Sequence, residues 1–342
     1  MRLSWLLVPL LVLSGCTAAA VPPESPSAPT SSGTASSPAP VAPARIGLSY
    51  IPNVQFAPFY LAEADGGFAA GTGTPATLRH HGAQEGLFTA IAAGQEDFVL
   101  AGADEMLQAR ESGADLVAVA TYYRQYPVQL IVPDAGDITS LADLRGKRIG
   151  VPGRFGSSWF ALLVALHTAG LTTDDVDVVE IGYTQQAALA TGKVDAVIGF
   201  TNNDLVQFQL AGVAVRALPI ADGTPPLVGA SLVTTRAYLA ATPELVRGVA
   251  EAMVDGINAA AQDPDRALAV TQTQVPGLSG EALEAARATL TATLAIMTDS
   301  QGRTDGRLDL DAWQAMAAFM LDAGLLTAPA DVAAATAPEV LP

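Results

Sequence analysis

The feature that most constrains the fold is an alternation of short apolar segments with longer amphipathic ones, which begins at Arg45. The short segments are rich in β-branched residues and are bounded by Gly, Pro, Asn or Asp, as is typical of strands. Strands are predicted over 45–50, 77–79, 97–101, 116–121 and 128–132, and helices over 57–68, 84–93 and 104–112. Strands that alternate with helices predict a parallel sheet with helices on both faces.

The same alternation restarts after residue 140 and predicts a second unit of strands and helices. Its strands are expected over 149–151, 176–181 and 196–200, and its helices over 157–169 and 185–191. A strand over 231–235 then returns to the first unit, and helices follow over 243–262, 279–297 and 310–321. The predicted fold class is therefore α/β and bilobed, which suits a chain of 342 residues. Lobe 1 comprises 45–132 plus 232–342 and lobe 2 comprises 133–231, and two crossover strands near 132 and 232 join them around a cleft that can hinge shut.

The first 44 residues are expected to lie outside the folded lobes. Met1 to Gly15 are interpreted as a signal peptide, because their apolar stretch is too short to span a bilayer. Leu13-Ser14-Gly15-Cys16 resembles a bacterial lipobox and predicts lipidation of Cys16; a buried helix with an incidental cysteine is the alternative. The Pro-, Ser- and Ala-rich segment 16–44 is predicted to be a disordered tether. Fully extended, it reaches about 90 Å at ~3.3 Å per residue.

Charge and cysteine content exclude several classes of function. A formal charge of −17, from 34 acidic and 17 basic residues, argues against a nucleic-acid partner. A single cysteine cannot form an internal disulfide, a Cys-rich zinc site or a redox pair. His80 and His81 are neighbours on a predicted strand and point to opposite faces, so they are interpreted as structural and not as metal ligands. No cofactor and no metal ion are predicted.

The segment Tyr50 to Ala62, YIPNVQFAPFYLA, resembles a motif of the solute-binding proteins related to binders and synthases of thiamine's pyrimidine precursor, a family close to the taurine and alkanesulfonate binders. Further similarities lie at 94–98, 143–152, 170–171 and 192–197, and the resemblance covers 46–268. It implies a type II periplasmic-binding-protein fold and a small aromatic or anionic ligand in the cleft. It also implies an ABC importer, with its permease and ATPase as partners. The lipobox predicts a lipid-anchored place on the extracytoplasmic face of the cell membrane. A monomer is expected.

Two departures from the family pattern bear on function. Phe56 stands where the pyrimidine-precursor binders usually carry His, and it leaves room for a larger flat ligand. The pyrimidine synthases of the family carry a cysteine-rich iron-binding cluster, which a chain with one cysteine cannot form. No enzymatic activity is therefore expected.

Candidate ligand-binding residues follow the predicted strands, because ligands of open α/β sheets bind beyond the carboxyl ends of the strands. In lobe 1 the candidates are Asn53, Phe56, Phe59, Asp104, Tyr123 and Arg124. An amide can bond the edge of a heterocycle, and aromatic rings can stack on its faces. The alternatives are that Phe59 belongs to the core, that Asp104 caps a helix and that Arg124 forms a surface ion pair.

In lobe 2 the candidates are Phe155, Ser157, Ser158, Trp159, Tyr183, Gln185, Asn202, Asn203 and Asp204. Glycines around Phe155 allow the backbone to approach a ligand, and the serine hydroxyls can hold a ring carbonyl or an oxyanion. Their spacing is not that of a nucleotide-binding loop, and no base stands beside Ser157 to support hydrolysis. Turn and cap roles are the alternative for residues 202–204.

Across both lobes, amides and aromatic rings outnumber basic groups, which favours a neutral, vitamin-like heterocycle as ligand. The resemblance puts the pyrimidine precursor of thiamine first. Riboflavin comes next, because several of the aromatic candidates can frame a large flat ring. An alkanesulfonate such as taurine is the third ligand and would depend on Arg124 and Arg154. A pyrimidine synthase and a lipoprotein that only scaffolds partners are the alternatives of a different class.

Overall fold

The computed structural model describes residues 42–82 and 85–342. The predicted signal peptide, Cys16 and the tether up to residue 41 lie outside the described residues, as do Ala83 and Gln84. Among the helices of the described ranges, none has the length and the apolar character needed to cross a bilayer.

The described residues form ten strands and thirteen α-helices, in an order that follows the predicted alternation. The strands are β1 (Arg45–Leu48), β2 (Thr77–His80), β3 (Phe98–Gly102), β4 (Leu116–Thr121), β5 (Val128–Pro133), β6 (Arg148–Val151), β7 (Asp177–Glu180), β8 (Ala196–Phe200), β9 (Val215–Leu218) and β10 (Ala230–Thr235). The helices are α1 (Ala57–Ala64), α2 (Gly67–Thr72), α3 (Thr89–Ala92), α4 (Ala103–Glu111), α5 (Gly156–Thr168), α6 (Gln185–Ala190), α7 (Asp204–Leu210), α8 (Arg236–Ala241), α9 (Pro243–Gln262), α10 (Pro264–Gln274), α11 (Glu281–Met297), α12 (Leu310–Asp322) and α13 (Val332–Ala335).

Some elements differ from the sequence-based prediction. The helix expected over 57–68 is divided into α1 and α2, because the chain turns at Gly66 with a left-handed φ of 69°. The helix expected over 84–93 is reduced to α3. The elements without a counterpart in the prediction are α7, α8, α10, α13 and β9.

The first sheet has the strand order β2-β1-β3-β10-β4. Strand β1 pairs in parallel with β2 and β3, and its last residue, Leu48, lies level with His80 and Leu100. Strand β10 runs antiparallel to both β3 and β4. The prediction of a purely parallel sheet is therefore wrong: the sheet is mixed, because β10 enters it from the opposite lobe.

The second sheet has the order β7-β6-β8-β5-β9 and is mixed in the same way. Here β5 is the reversed strand, antiparallel to β8 and β9. The sequence analysis assigned 128–132 to lobe 1, whereas β5 lies in the second sheet. The first crossover therefore runs through 122–127 instead of lying near 132, and the second runs through 219–229.

Each sheet has its own hydrophobic core, and a third cluster joins the lobes. The core of the first sheet includes Ile46 and Leu100. A smaller core around Val197 and Phe208 lies on the second sheet. The third cluster contains Met106 of α4, Phe160 of α5 and Trp313 of α12, all of which are buried. Helices of both lobes are thus packed together on one side of the molecule.

A pair of equivalent ion pairs anchors the amino-terminal ends of the strands. In the first sheet the Arg45 guanidinium donates to Asp97, with Nε 3.0 Å from Oδ2 and Nη2 2.6 Å from Oδ1. In the second sheet Arg148 donates to Asp195 with the corresponding distances of 3.1 and 2.6 Å. Each carboxylate also accepts the backbone N–H of its arginine at 2.9 Å. We call this arrangement the Arg–Asp clamp; it occurs once in each lobe.

Candidate ligand-binding cleft

A cavity of about 580 Å³ lies between the lobes, at the carboxyl ends of β1, β3, β6 and β8. Open α/β sheets bind ligands at this position, and the volume lies within the roughly 300–1,000 Å³ of small-molecule sites. The first lobe contributes Ser49, Tyr50, Gln55, Phe56, Gly82, Glu85, Gly86, Leu87, Leu100, Gly102 and Glu105. The second lobe contributes Pro152, Phe155, Gly156, Ser157, Ser158, Tyr183, Gln185, Phe200, Asn203 and Asp204. The crossover regions add Tyr123, Tyr126, Pro127, Gly229 and Ala230.

Aromatic rings from both lobes form much of the cavity wall. The rings of Tyr50 and Tyr183 have centroids 5.7 Å apart at an interplanar angle of 55°. Phe155 lines the cavity with 59% of its surface exposed, an unusual state for a large apolar ring. Phe56 and Tyr123 lie in the wall and are buried. Such a surface suits a flat aromatic ligand that is stacked or met edge-on.

Hydrogen bonds behind the first-lobe wall hold Tyr50 and Phe56 in place. The Tyr60 hydroxyl accepts the N–H of Asn53 at 3.4 Å and lies 2.9 Å from Nε2 of His80, whose Nδ1 lies 2.9 Å from the carbonyl oxygen of Tyr50. A carbonyl can only accept, so His80 carries its proton on Nδ1 and accepts at Nε2. Burial lowers the pKa of His80, which keeps the ring neutral. Phe56 packs edge-on against this ring, with centroids 5.4 Å apart.

The amino-terminal ends of α4 and α5 lie at one corner of the cleft, together with two carboxyl groups of α4. Glu105 lines the cavity, and Asp104 is fully buried behind it. Asp104 accepts the N–H of Glu105 at 2.8 Å, and the Tyr126 hydroxyl lies 3.3 Å from its Oδ2 and 2.7 Å from the carbonyl oxygen of Ser157. Burial raises the pKa of Asp104, and burial together with the charge of Asp104 raises the pKa of Glu105. The pair therefore retains a proton to higher pH than isolated carboxyls do.

Gly102 is required by the crowding of oxygens in this corner. A methyl group on its Cα would lie 2.4 Å from Oδ1 of Asp104, 2.8 Å from Oε2 of Glu105 and 3.0 Å from Oγ of Ser157. These oxygens come from both lobes. Any larger residue at 102 would have to displace them.

The second lobe presents two amides and a carboxyl to the cavity, from Gln185, Asn203 and Asp204. Oδ2 of Asp204 accepts the N–H of Phe200 at 2.7 Å, which fixes the carboxyl at the start of α7. Burial raises the pKa of Asp204 to about 6. The group can therefore offer a proton or accept one from a ligand in the neutral pH range.

Among the described residues, no lysine, arginine or histidine lines the cavity. Arg124 is exposed and faces Asp299, whose pKa is lowered chiefly by backbone N–H groups and in small part by Arg124. Arg154 lies 3.5 Å from Glu180 and places its guanidinium 5.3 Å from the centroid of the Trp159 ring. The two arginines on which a sulfonate would depend thus lie outside the cavity, and Arg154 has its partners there.

Most of the predicted ligand-binding residues line the cavity. They are Phe56, Tyr123, Phe155, Ser157, Ser158, Tyr183, Gln185, Asn203 and Asp204. Whether each of them contacts a ligand stays a prediction. The structure brings them together from four strand ends and one crossover, as their positions in the sequence indicate.

The other predicted residues do not line the cavity. Phe59 is buried against Phe68 and Tyr122, and the Asn53 side chain accepts the N–H of Gln55. Arg124 is exposed, Trp159 lies beside Arg154, and Asp104 lies behind Glu105. Asn202 is buried and donates to Oγ1 of Thr293 in α11 at 3.0 Å. The structure supports the alternative that Phe59 belongs to the core.

Sequence reasoning missed Tyr50, Gln55, Glu105 and Tyr126, which all line the cavity. Tyr50 and Gln55 lie in the motif that carries the family resemblance. Tyr126 belongs to an aromatic crossover in which Tyr123 was selected. Glu105 directly follows Asp104 at a helix start, where both residues have the character of capping groups.

Comparison with known proteins places the fold in a defined group. The family model described as NMT1/THI5 like matches residues 53–267. The chain is 34% identical over 355 residues to the riboflavin-binding protein RibY of Chloroflexus aurantiacus, covering 100% of this chain and 99% of that protein. It is 25% identical over 171 residues to the formylaminopyrimidine-binding protein of Halalkalibacterium halodurans, covering 49% of this chain and 52% of that protein.

A solved structure with the same fold is the alkanesulfonate-binding protein SsuA of Xanthomonas axonopodis pv. citri bound to MOPS. Its TM-score is 0.66 at 24% sequence identity, covering 87% of this chain and 99% of that one. The similarity concerns the fold, and it confirms the predicted bilobed, type II periplasmic-binding architecture.

Proposed function

The chain belongs to the NMT1/THI5 like family, and from this premise we propose that it is an extracytoplasmic solute-binding protein that captures a small molecule for an ABC importer. The observation that carries the proposal is the cavity of about 580 Å³ between two lobes, lined by side chains from both. A molecule bound there contacts both lobes at once, so binding favours the closed arrangement. The protein itself performs no catalysis in this proposal.

We propose riboflavin, or a similar flat nitrogen heterocycle, as the ligand. Rings such as Tyr50, Phe155 and Tyr183 offer stacking surface, while Asn203 and Gln185 offer donors and acceptors to the edge of a ring. Similarity to a riboflavin-binding protein along the whole chain supports this ligand. The sequence alone placed the pyrimidine precursor of thiamine first; the size of the cavity and its many rings favour the larger ring system.

The pyrimidine precursor is the second candidate, because Glu105 and Asp204 can accept hydrogen bonds from an aminopyrimidine. The partial similarity to a formylaminopyrimidine-binding protein supports it. A sulfonate is disfavoured, since Arg124 and Arg154 lie outside the cavity and no other cation of the described residues lines it.

Thermal unfolding of the purified protein with each ligand tests the proposal. At about a hundred times its Kd, a ligand stabilises the native state by ~2.7 kcal/mol. We expect riboflavin to raise the Tm, the pyrimidine precursor to raise it less, and taurine to leave it unchanged. A Tm that responds to taurine alone would reject the proposed ligand class, and no response to any of the compounds would reject the proposed function.

We further propose that Cys16 is lipidated and that the segment up to residue 44 tethers the lobes near the importer's permease and ATPase. Acyl chains supply membrane affinity without a spanning helix. In cells, Cys16→Ala should move the protein from the membrane fraction to the soluble fraction. Retention of the variant on the membrane would contradict the anchor.

A further inference from the structure

The corner where α4 and α5 begin is the place in this cleft that is best suited to an anionic group. Free backbone N–H groups and the helix dipole both attract negative charge at a helix amino terminus. The helices come from different lobes, and both begin at residues that line the cavity, Gly102 beside Ala103 for α4 and Gly156 for α5.

A carboxyl group of the chain itself occupies this corner. A methyl group on the Cα of Gly156 would lie 3.3 Å from Oε1 of Glu105, so the carboxyl of α4 reaches the first residue of α5. The same carboxyl reaches the start of α4, because a methyl group on the Cα of Gly102 would lie 2.8 Å from its Oε2. Glu105 thus lies between the two helix termini, and its carboxyl oxygens already occupy the position that the termini offer to an anion.

The charges around Glu105 are otherwise acidic. Asp104 lies behind it, and Asp204 faces the same cavity from the second lobe. The remaining lining carboxylate, Glu85, is paired with Arg79, whose guanidinium also binds Glu96. Within the described ranges, therefore, no cation is left to balance a ligand anion in the cavity.

We propose that Glu105 is a specificity-determining residue, because its carboxyl fills the anion position between α4 and α5. The cleft therefore binds uncharged or cationic heterocycles. It rejects the same compounds once they carry a phosphate or a sulfonate. The inference rests on the proposed function, because it concerns the charge of the molecule that the same cleft captures.

Two physical effects separate the charged and uncharged forms. An anion that enters the cavity loses its water and meets a carboxyl at the position that would otherwise stabilise it. A ring N–H or amino group can instead donate to Glu105. Where the heterocycle outside the cell is a phosphate ester, hydrolysis of that ester must precede capture.

The test compares pairs of compounds that differ by one phosphate: riboflavin with flavin mononucleotide, and thiamine with thiamine monophosphate. Their Kd values are measured by calorimetry on the wild-type protein, on Glu105→Gln and on Glu251→Gln. Glu251 is exposed on α9, outside the cleft, so this control removes the same charge from a distant surface. The ratio of the two Kd values within a pair is the quantity of interest, because it cancels changes that affect both compounds.

In the wild type we expect the phosphate to weaken binding about a hundredfold, since the anion loses its water, finds its position filled by the carboxyl oxygens of Glu105 and meets no cation among the described lining residues. Glu105→Gln should reduce that ratio by about tenfold, and Glu251→Gln should leave it unchanged. Equal affinity of the wild type for both members of a pair overturns the inference and leaves the proposed function intact; this comparison needs no variant to fold. A ratio that Glu105→Gln does not alter, or that both variants alter equally, also overturns it. If no heterocycle binds to the wild type, the proposed function fails and the inference fails with it.

Discussion

Tyr50 of the first lobe and Tyr183 of the second lobe are in ring contact across the opening of the cleft, with centroids 5.7 Å apart. Both side chains line the cavity, and Tyr183 is half exposed where the cavity meets solvent. Because the rings belong to different lobes, this contact exists only while the lobes are close together. We call this pair the aromatic gate, because we expect the contact to slow the separation of the lobes and therefore the release of a bound ligand.

The gate predicts a kinetic effect of Tyr183→Ala. An aromatic pair contributes about 0.5–1.5 kcal/mol beyond burial, so the variant should release riboflavin about two- to twelvefold faster. Stopped-flow fluorescence measures this rate. Leu210→Ala is the control, because Leu210 is an equally exposed apolar residue of the second lobe that does not line the cavity. An unchanged dissociation rate in Tyr183→Ala would rule out the gate.

Gly102→Ala should disturb the corner where the lobes meet. The added methyl group would overlap Oδ1 of Asp104, 2.4 Å away, and overpacking of this kind costs about 1–3 kcal/mol. We expect a lower free energy of unfolding in urea and weaker ligand binding. Gly82→Ala is the matched control, since Gly82 also lines the cavity but has open space around its Cα. Equal effects of the two substitutions would contradict the crowding.

Asn202 and Asn203 are neighbours in sequence with different expected roles. Asn202→Ala removes a buried hydrogen bond to Thr293 and should lower the free energy of unfolding by about 1–3 kcal/mol. Asn203→Ala should leave unfolding nearly unchanged and weaken the ligand about tenfold, because a polar ligand group would lose its partner. Urea denaturation and calorimetry on both variants separate the two effects. Weaker ligand binding in Asn202→Ala together with lower stability in Asn203→Ala would contradict these two roles.

Asp204 predicts an unusual dependence of stability on pH. Its pKa is about 6 in the folded state because of burial, against ~3.9 in an unfolded chain. Between these values the native state binds more protons than the unfolded state, so this group lowers stability as pH rises from about 4 to 6. Asp204→Asn removes the effect, and its stability relative to the wild type should rise by about 1–3 kcal/mol over that window.

Asp143 is expected to affect the pH dependence of stability in the opposite direction to Asp204. Backbone N–H groups of Thr139 and Ser140, followed by their hydroxyls, lower the pKa of Asp143 to about 2. Its contribution to stability is present above the unfolded pKa and is lost as pH falls towards 2. Asp143→Asn should therefore lose stability relative to the wild type as pH rises from 2 to 4. Urea titrations at several pH values give both curves, and curves of the same sign would contradict the assignment.

The two Arg–Asp clamps should differ in strength. The Asp97 side chain is 9% exposed and that of Asp195 is 32% exposed, so the first carboxylate has less access to water as a substitute partner. Asp97→Asn should destabilise the fold by about 1–3 kcal/mol, and Asp195→Asn by about 0–1 kcal/mol. Thermal unfolding of both variants checks the order. A larger loss for Asp195→Asn would show that exposure does not control the contribution.

The sequence pattern predicted which loops surround the cleft, but not which side chains of those loops enter it. Tyr123 lines the cavity and is buried, while its neighbour Arg124 is exposed, because the crossover bends at 124 and 125. Ser157 and Ser158 line the cavity, whereas Trp159, the next residue of α5, has turned away to lie beneath Arg154. A sequence pattern that identifies a whole loop does not show which of its neighbouring side chains enter the cavity.

The sequence pattern does not predict whether a strand pairs in parallel or antiparallel. An apolar, β-branched segment such as β10 looks the same whether it pairs in parallel or antiparallel, so the exchange of β5 and β10 between the lobes left no local signal. The sequence does contain a short repeat that marks the equivalent strands of the two lobes. Arg45-Ile46-Gly47 and Arg148-Ile149-Gly150 begin equivalent strands, and Asp97 and Asp195 precede the strands beside them.

Each Arg–Asp clamp lies at the amino-terminal edge of its sheet, and the cavity lies at the carboxyl-terminal edge. The strands therefore separate the clamps, which stabilise the fold, from the loops that contact the ligand. An engineer who wishes to retarget this receptor, for example as a biosensor, can exchange the loops that follow β1, β3, β6 and β8 while the opposite edge is kept as it is. Recognition and robustness become two design variables that can be adjusted one at a time.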